Sequence, residues 1–245
     1  RHLELRFTPV ALSHAGHFPL GEVMDWVCES ANQAAREFGI SVRLIVSVNR
    51  HESVELAEQV TWLAAARIGS GILGLDLAGD EAGYSALLFR GVFKEAHQYG
   101  LKLTMHDGEW TGAANVHEAL ETFNADRIGH GVGVMEDPNT VALARELGTP
   151  FEVCVTSNYQ SGVIQSLKEH PIMKMMDAGL NVCLGTDNPS ISQITLTDEY
   201  QRVCEDLGME HKILKERVVA AAQASFLPQA EREILIKQLR KELSS

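Results

Sequence analysis

The chain has 245 residues, a formal charge of −12 and 45% apolar residues, a content sufficient for a core of ordinary size. This acidity excludes a protein that binds nucleic-acid phosphates through surplus lysine and arginine, and no apolar run reaches the ~18 residues that span a bilayer. Four cysteines without a C-x-x-C pair, and the absence of an N-x-S/T acceptor, indicate a reducing, cytoplasmic location.

Short β-branched or apolar runs alternate with amphipathic helical stretches along the whole chain. Strands are predicted at 3–8, 42–49, 72–77, 101–106, 127–130, 151–156 and 181–186. Helices are predicted at 20–38, 53–68, 84–99, 115–123, 138–147, 172–178, from 213 onward and at 230–243. This alternation is typical of βαβ units and a parallel sheet. Because we find no repeat, low-complexity tract or linker, we predict a single domain over residues 1–245.

Polar side chains recur at or just past the ends of the predicted strands. They are Arg50, His51, Asp76, His106, Glu109, His130, Thr156, Asn158, Asp187 and Asn188. A doubly wound open sheet has the same alternation of strands and helices. A (β/α)8 barrel, however, gathers its chemistry at the carboxyl ends of several different strands. We therefore predict a (β/α)8 TIM-type barrel, with seven strands in this chain.

Two histidines and a glutamate follow neighbouring strands. His106 and Glu109 flank Gly108 just after a buried strand, and the glycine allows a turn that directs both side chains into one cavity. His130 ends the next short strand between two glycines, with no bulky neighbour beside it. Either histidine taken alone is more often structural than functional. The pairing of His106 with Glu109 makes a functional role more credible.

Asp187 and Asn188 form the third element, at the end of the last predicted strand. Because successive side chains point in different directions there, one of the pair can bind a metal while the other contacts a ligand. The alternative is a helix N-cap, because Asp or Asn before Pro189 would begin a helix well. Two histidines, a glutamate and an aspartate after three different strands together indicate a hydrolytic metal site, with zinc as the metal.

Five ordered motifs resemble those of the adenosine deaminase family, part of the amidohydrolase superfamily of metal-bearing barrels. They are GLDLAGDE at 74–81, the motif of His106 to Glu109, RIGHG at 127–131, EVCVTSN at 152–158 and TDNP at 186–189. The ending ASFLP at 224–228 is similar as well, so the resemblance covers essentially the whole chain. It implies a (β/α)8 barrel and one zinc ion in each active site.

The resemblance also implies a role for four residues. His106 and Asp187 would be zinc ligands, with Asp187 also accepting a hydrogen bond from the zinc-bound water. Glu109 would protonate purine N1 and make C6 more electrophilic. His130 would orient the attacking hydroxide and help to deprotonate it. Cytidine-type deaminases use a different H-x-E and P-C-x-x-C pattern, which this sequence lacks, so nucleic-acid editing is not expected.

Two further residues are expected to contact the purine. The resemblance implies that the backbone N–H of Gly79 reaches purine N3, which only a residue without a side chain permits. The family usually has a second aspartate where this chain has Asn188. The Asn188 amide can donate to N7, an acceptor in the neutral base. This departure is compatible with purine binding, but it leaves the exact substrate open.

The family's opening H-x-H strand, which supplies two further zinc ligands, has no counterpart in this sequence. The strand predicted at 3–8 matches the family's second strand, so seven of the eight strands are present. Either the sequence is part of a longer protein, which we favour, or it is a truncated homologue that has lost catalysis. We expect a complementing N-terminal segment or a homo-oligomer to fill the gap. Without one, the 245 residues should bind zinc weakly and show no measurable deamination.

The sequence predicts an enzyme that deaminates a small-molecule purine nucleoside, with no nucleic-acid or membrane partner. The reaction would convert adenosine and 2′-deoxyadenosine into inosine and 2′-deoxyinosine, with release of ammonia. Adenine or another 6-aminopurine derivative is the alternative substrate. A non-catalytic barrel kept as a binding protein is the alternative from another class. It is disfavoured because all of His106, Glu109, His130 and Asp187 are retained.

Overall fold

A computed structural model describes residues 1–244 of the chain. Its strands are β1 (His2–Phe7), β2 (Ser41–Asn49), β3 (Ile72–Ala78), β4 (Lys102–Asp107), β5 (Arg127–His130), β6 (Pro150–Val153) and β7 (Asn181–Leu184). Its α-helices are α1 (Pro9–Gly16), α2 (Leu20–Phe38), α3 (Val54–Ala65), α4 (Arg90–Gln98), α5 (Ala113–Glu121), α6 (Pro138–Leu147), α7 (Val155–Gln160), α8 (Ile172–Asp177), α9 (Pro189–Ser192), α10 (Leu196–Glu205), α11 (His211–Ala224) and α12 (Gln229–Leu243). Short 3-10 helices lie at Ile68–Ser70, Ala86–Phe89, Val132–Glu136 and Leu167–Glu169.

The chain divides into two compact units. The first comprises Arg1–Met105, Thr122–Ala125 and Phe226–Pro228, and the second comprises His106–Glu121, Asp126–Ser225 and the residues from Gln229 onward. The single domain expected from the sequence stays a prediction. Among residues 1–244, no helix combines the length and the apolar composition that crossing a bilayer would require.

The first unit contains a parallel sheet in which β1, β2, β3 and the start of β4 follow chain order. Leu3 lies beside Val42 in the register of β1 and β2, and Leu75 lies beside Leu103 in that of β3 and β4. Apolar side chains of β2 and β3 are buried on both faces, as expected for parallel strands between layers of helices.

Asp76 in β3 is fully buried, and its charge is compensated within the first unit. Its Oδ2 accepts a hydrogen bond of 2.9 Å from the Ser47 hydroxyl and lies 3.7 Å from the Arg6 Nε. A buried carboxylate is tolerated only with such partners. These contacts give Asp76 a structural role.

The second unit contains the parallel strands β5, β6 and β7. Phe151 lies at the centre, beside Ile128 of β5 and Val182 of β7, and all three side chains are buried. Helix α6 begins where Asp137 accepts hydrogen bonds from two backbone N–H groups of the first turn. It ends at Gly148, whose left-handed backbone closes the helix.

The strand predicted at 151–156 is too long, because β6 ends at Val153 and Val155 begins helix α7. Val155 is apolar, as strand residues often are, and its side chain is fully buried. The Glu199 carboxylate of α10 accepts hydrogen bonds from both the backbone N–H and the hydroxyl of Thr156. It thereby satisfies a donor of the first helical turn and favours the helix.

The helix predicted at 84–99 is also divided, into the 3-10 helix Ala86–Phe89 and the α-helix Arg90–Gln98. Helices α1 and α10 were not predicted. Helix α10 has a readable start signal, because Thr195 and Asp198 form a capping box.

Candidate active site

His106 lies near the end of β4, and a tight turn after this strand carries Glu109. Gly108 has a φ of +68°, a conformation that other residues rarely adopt, and a Cβ atom there would lie 2.4 Å from the Val116 Cγ2. The backbone N–H of Gly133 donates a hydrogen bond of 2.7 Å to the Gly108 carbonyl and fixes the turn. The requirement for glycine at this turn agrees with the expectation from the sequence.

His130 lies close to both of these residues. Its ring centroid is 5.2 Å from that of His106, and its Nε2 is 3.6 Å from the Glu109 Oε2. The side chains of His130 and Glu109 are 4% and 12% exposed, so the pair is largely removed from water. A Cβ atom at Gly129 would lie 3.3 Å from the His106 ring, so glycine at this position leaves room for the imidazole.

His130 and Asp187 both adopt the left-handed backbone conformation, with φ values of 58° and 54°. Each residue lies at or just past the end of a strand, β5 or β7. This conformation costs a non-glycine residue about 1 kcal/mol or more, and such strain is concentrated at active sites and ligand-binding sites. The same conformation occurs at His17, Asn124 and Gln193, so it does not by itself distinguish functional residues.

Three side chains converge in a way that fits a metal ion. The candidate ligand atoms of His106, His130 and Asp187 all lie within 4.8 Å of one another. Imidazole nitrogens and a carboxylate oxygen are ligands that zinc prefers. The structure thus places His130, which the sequence assigned to catalysis, beside the two predicted ligands. The individual roles of these three residues stay predictions.

Two neighbours orient the Asp187 carboxylate. The Ser157 hydroxyl donates a hydrogen bond of 2.7 Å to Oδ2, and the Asn188 amide donates one of 3.0 Å to Oδ1. Asn188 occupies the N-cap position of α9, as the alternative interpretation expected. Within the described range 1–244, however, its side chain makes no capping hydrogen bond to that helix. Its amide therefore supports the candidate metal ligand, and the proposed contact with purine N7 stays a prediction.

Asn158 forms hydrogen bonds with both Glu109 and His130, and no role was predicted for it from the sequence. Its Nδ2 donates to the Glu109 Oε1 at 3.2 Å and to the His130 Nδ1 at 3.1 Å. Its Oδ1 lies 3.3 Å from the Nε2 of His170, a buried imidazole. Burial lowers the pKa of His170 to about 4. The position of Asn158 just after β6 was the available signal, since other candidates follow strand ends too.

The first residues of α7 form hydrogen bonds with three different parts of the chain. Thr156 is bonded to Glu199 of α10, Ser157 to Asp187 beyond β7, and Asn158 to His130 of β5. Glu199 is fully buried, yet its sequence context does not distinguish it from the exposed acidic residues of α10. Its role in holding the first turn of α7 is evident only from the hydrogen bonds that it accepts from Thr156.

Gly79 follows β3 in the first unit, whereas the other predicted site residues belong to the second. Its φ is +95°, and a Cβ atom there would lie 3.4 Å from the Arg50 backbone nitrogen. The Arg50 N–H also donates a hydrogen bond of 2.9 Å to the Ala78 carbonyl. The local backbone thus suits glycine at this position, and the contact with purine N3 stays a prediction.

Comparisons with known proteins show the family of this chain. A family model described as adenosine deaminase matches residues 1–242. Adenosine deaminase from Enterococcus faecalis is 32% identical over 238 residues, which cover 97% of this chain and 70% of that protein.

Two solved structures are similar over nearly all of the chain. Adenine deaminase from Arthrobacter aurescens has a TM-score of 0.93 and 26% identity, covering 100% of this chain and 74% of that one. N6-methyl-AMP deaminase from Arabidopsis thaliana has a TM-score of 0.84 and 26% identity, covering 99% and 72%. The predicted fold class, a (β/α)8 TIM-type barrel with seven of its eight strands in this chain, is confirmed.

Proposed function

Because this chain belongs to the adenosine deaminase family, we propose that it hydrolyses the 6-amino group of adenosine and 2′-deoxyadenosine. Water adds at purine C6, the C6–N bond breaks, and ammonia leaves with formation of the inosine product. The observation that carries this proposal is the convergence of His106, His130 and Asp187 within 4.8 Å, with Glu109 beside His130.

The metal we propose is zinc, held by His106 and Asp187, with two further ligands expected from an N-terminal H-x-H strand. Zinc lowers the pKa of a bound water from about 15.7 to about 7 and so supplies a nucleophile at neutral pH. Ser157 and Asn188 each donate a hydrogen bond to the Asp187 carboxylate and hold it in a fixed orientation.

Glu109 is proposed to deliver the proton to purine N1, which makes C6 more electrophilic. Its Oε1 accepts from Asn158 at 3.2 Å, so the carboxyl group is held in place. His130 is proposed to orient the attacking oxygen toward C6. Because the His130 side chain is 4% exposed, bulk water does not compete for its hydrogen bonds.

A second candidate substrate is adenine or another 6-aminopurine derivative. The similarity to an adenine deaminase and to an N6-methyl-AMP deaminase favours it, and Asn188 in place of the family's usual aspartate leaves the exact substrate open. A truncated homologue that serves only as a binding protein is disfavoured. Such a protein would have no reason to hold all four of the side chains His106, Glu109, His130 and Asp187.

A substrate panel tests the proposal directly. Because the chain alone is expected to bind zinc weakly, the assay uses the chain completed by an N-terminal H-x-H segment. We expect this zinc-loaded protein to deaminate adenosine and 2′-deoxyadenosine with kcat/KM at least about tenfold above that for adenine or N6-methyl-AMP. The measurement is ammonia release together with zinc content by atomic absorption. Preferred turnover of adenine would establish the alternative, and a zinc-loaded protein inactive on all four purines would refute both.

Asn188→Asp is expected to change the pH dependence more than the rate. The new carboxylate would lie against that of Asp187, whose Oδ1 is 3.0 Å from the present amide nitrogen. Two adjacent carboxylates cannot both ionise freely, so one pKa rises and a new titration enters the pH profile of kcat/KM. We expect kcat for adenosine to stay within about tenfold of wild type.

Asn139→Asp is the matched control for this substitution. Asn139 is an exposed residue of α6 whose amide also donates to a neighbouring aspartate, Asp137, at 3.4 Å. This variant should keep the wild-type pH profile. An unchanged profile in Asn188→Asp would mean that the two carboxylates do not interact, and unchanged purine affinities would mean that Asn188 does not face the base.

A further inference from the structure

We propose that His170 is a positioning residue, which acts through Asn158 to fix the tautomer of His130 and the orientation of Glu109. Neither His170 nor Asn158 is among the residues assigned to catalysis or to metal binding above. The part of the inference that concerns rate rests on the proposed deaminase function. The part that concerns hydrogen-bond geometry is independent of it.

The orientation of the His170 ring is set by the backbone. The N–H of Ile172 donates to the His170 Nδ1 at 3.1 Å, so this nitrogen is an acceptor and carries no hydrogen. The neutral ring therefore has its hydrogen on Nε2, which faces the Asn158 Oδ1 at 3.3 Å. His170 is 5% exposed, and the lowered pKa of about 4 agrees with a neutral ring at physiological pH.

The Asn158 amide is oriented by two constraints that agree. The Nε2–H of His170 requires the amide oxygen on its side. The Glu109 Oε1, an acceptor when ionised, requires the amide NH2 group on the other side, where Nδ2 lies 3.2 Å away. Asn158 is fully buried, so water does not replace either bond. A reversed amide would face each partner with the wrong group.

This orientation determines which nitrogen of His130 is protonated. The Asn158 NH2 group donates to the His130 Nδ1 at 3.1 Å, so the neutral His130 ring carries its hydrogen on Nε2. That nitrogen lies 3.6 Å from the Glu109 Oε2. His170 holds the Asn158 amide through a hydrogen bond to Oδ1, an atom that takes no part in proton transfer. His170 can therefore preserve the arrangement throughout the reaction.

Two substitutions at His170 distinguish the effect of losing its N–H donor from the effect of changing the side-chain volume. His170→Leu removes the N–H but keeps an apolar side chain, whereas the amide of His170→Gln can place an N–H near the position of Nε2. In the zinc-loaded protein we expect His170→Leu to lower kcat about tenfold with KM within about threefold, and His170→Gln to recover kcat to within about threefold of wild type.

A double-mutant cycle shows whether His170 acts through Asn158. We expect Asn158→Leu alone and Asn158→Leu combined with His170→Leu to have the same kcat, because the second change has nothing left to position. Additive losses in the double variant would mean that the two residues act independently and would overturn the proposal.

A spectroscopic measurement tests the geometry without catalysis. Histidine labelled with 15N in the metal-free protein reports which ring nitrogen carries hydrogen, and the His130 signals are assigned by their loss in His130→Gln. We expect the Nε2–H tautomer in wild type and in His170→Gln, and a mixture of tautomers in His170→Leu. A wild-type His130 protonated on Nδ1 would overturn the inference even if every His170 variant failed to fold.

The two proposals fail in different ways. A wild-type protein that is completed by the N-terminal segment and loaded with zinc, yet deaminates no purine, would refute the proposed function, while the tautomer measurement would still decide the role of His170. Conversely, an active wild type together with a folded His170→Leu variant of unchanged kcat and unchanged His130 tautomer would refute only the positioning role. Circular dichroism on each variant establishes that it is folded.

Discussion

Replacement of Glu109 by glutamine is expected to lower kcat by a factor on the order of 10² or more, with zinc content unchanged. Glutamine keeps the side-chain length and an oxygen that can accept the hydrogen bond of 3.2 Å from Asn158. It cannot deliver a proton to purine N1, so only that step is lost. The measurements are kcat for adenosine, zinc content, and the affinity for the inosine product, which should also be retained.

Glu146→Gln is the matched control, because Glu146 is an exposed residue of α6. The same chemical change there should leave kcat within about twofold of wild type. If Glu109→Gln retained a rate within about threefold of wild type, the assignment of Glu109 as the proton donor would be wrong.

Acidification should destabilise the folded chain through His170. Its pKa is lowered from 6.5 to about 4 by burial, so the unfolded state binds a proton more readily throughout this range. The contribution of the neutral His170 ring to the free energy of unfolding is therefore fully present above pH 6.5 and is lost as the pH falls toward 4. With about 1.4 kcal/mol per pKa unit, the loss is on the order of 2 kcal/mol at pH 5 and 3 kcal/mol at pH 4.

Urea unfolding at pH 7.5 and pH 5, in the presence of a chelator, measures this contribution. The free energy of unfolding of wild type should fall by about 2 kcal/mol more than that of His170→Gln, which has no group to titrate at this position. His211→Gln removes an exposed imidazole and should behave as wild type. Equal pH dependence in wild type and His170→Gln would show that His170 is not held neutral by the fold.

Elements with local start and stop signals were predictable to the residue. Helix α2 ends at Phe38 before Gly39, which adopts a left-handed φ of 63°, and α6 lies between Asp137 and Gly148. Propensity and capping act within a few residues, so the sequence contains this information. The boundary of β6 was missed because Glu199, a residue 43 positions away, stabilises the first turn of α7.

The candidate site was predictable in composition but not in its supporting contacts. His106, Glu109, His130 and Asp187 lie at or just past the ends of predicted strands, and the structure brings all four into one cluster. Their supporting contacts join residue types that are common everywhere in proteins. The bond between Asn158 and His130 spans 28 positions, and no local pattern signals such a pair.

The left-handed backbone at His130 and Asp187 was equally beyond sequence reasoning. These conformations are imposed by the surrounding structure against local preference, since neither residue is a glycine. A sequence pattern indicates the backbone conformation that a segment prefers, whereas a left-handed residue that is not glycine indicates the conformation that the fold imposes.

The first residues of α7 set a limit on how this chain can change length. Thr156, Ser157 and Asn158 are consecutive, and each is bonded to a different element. One residue added to a helix rotates everything beyond it by about 100°. An insertion or deletion just before Thr156 would therefore misdirect all three side chains together. Insertions in exposed loops carry no such penalty, so variation in length between homologues should avoid this segment.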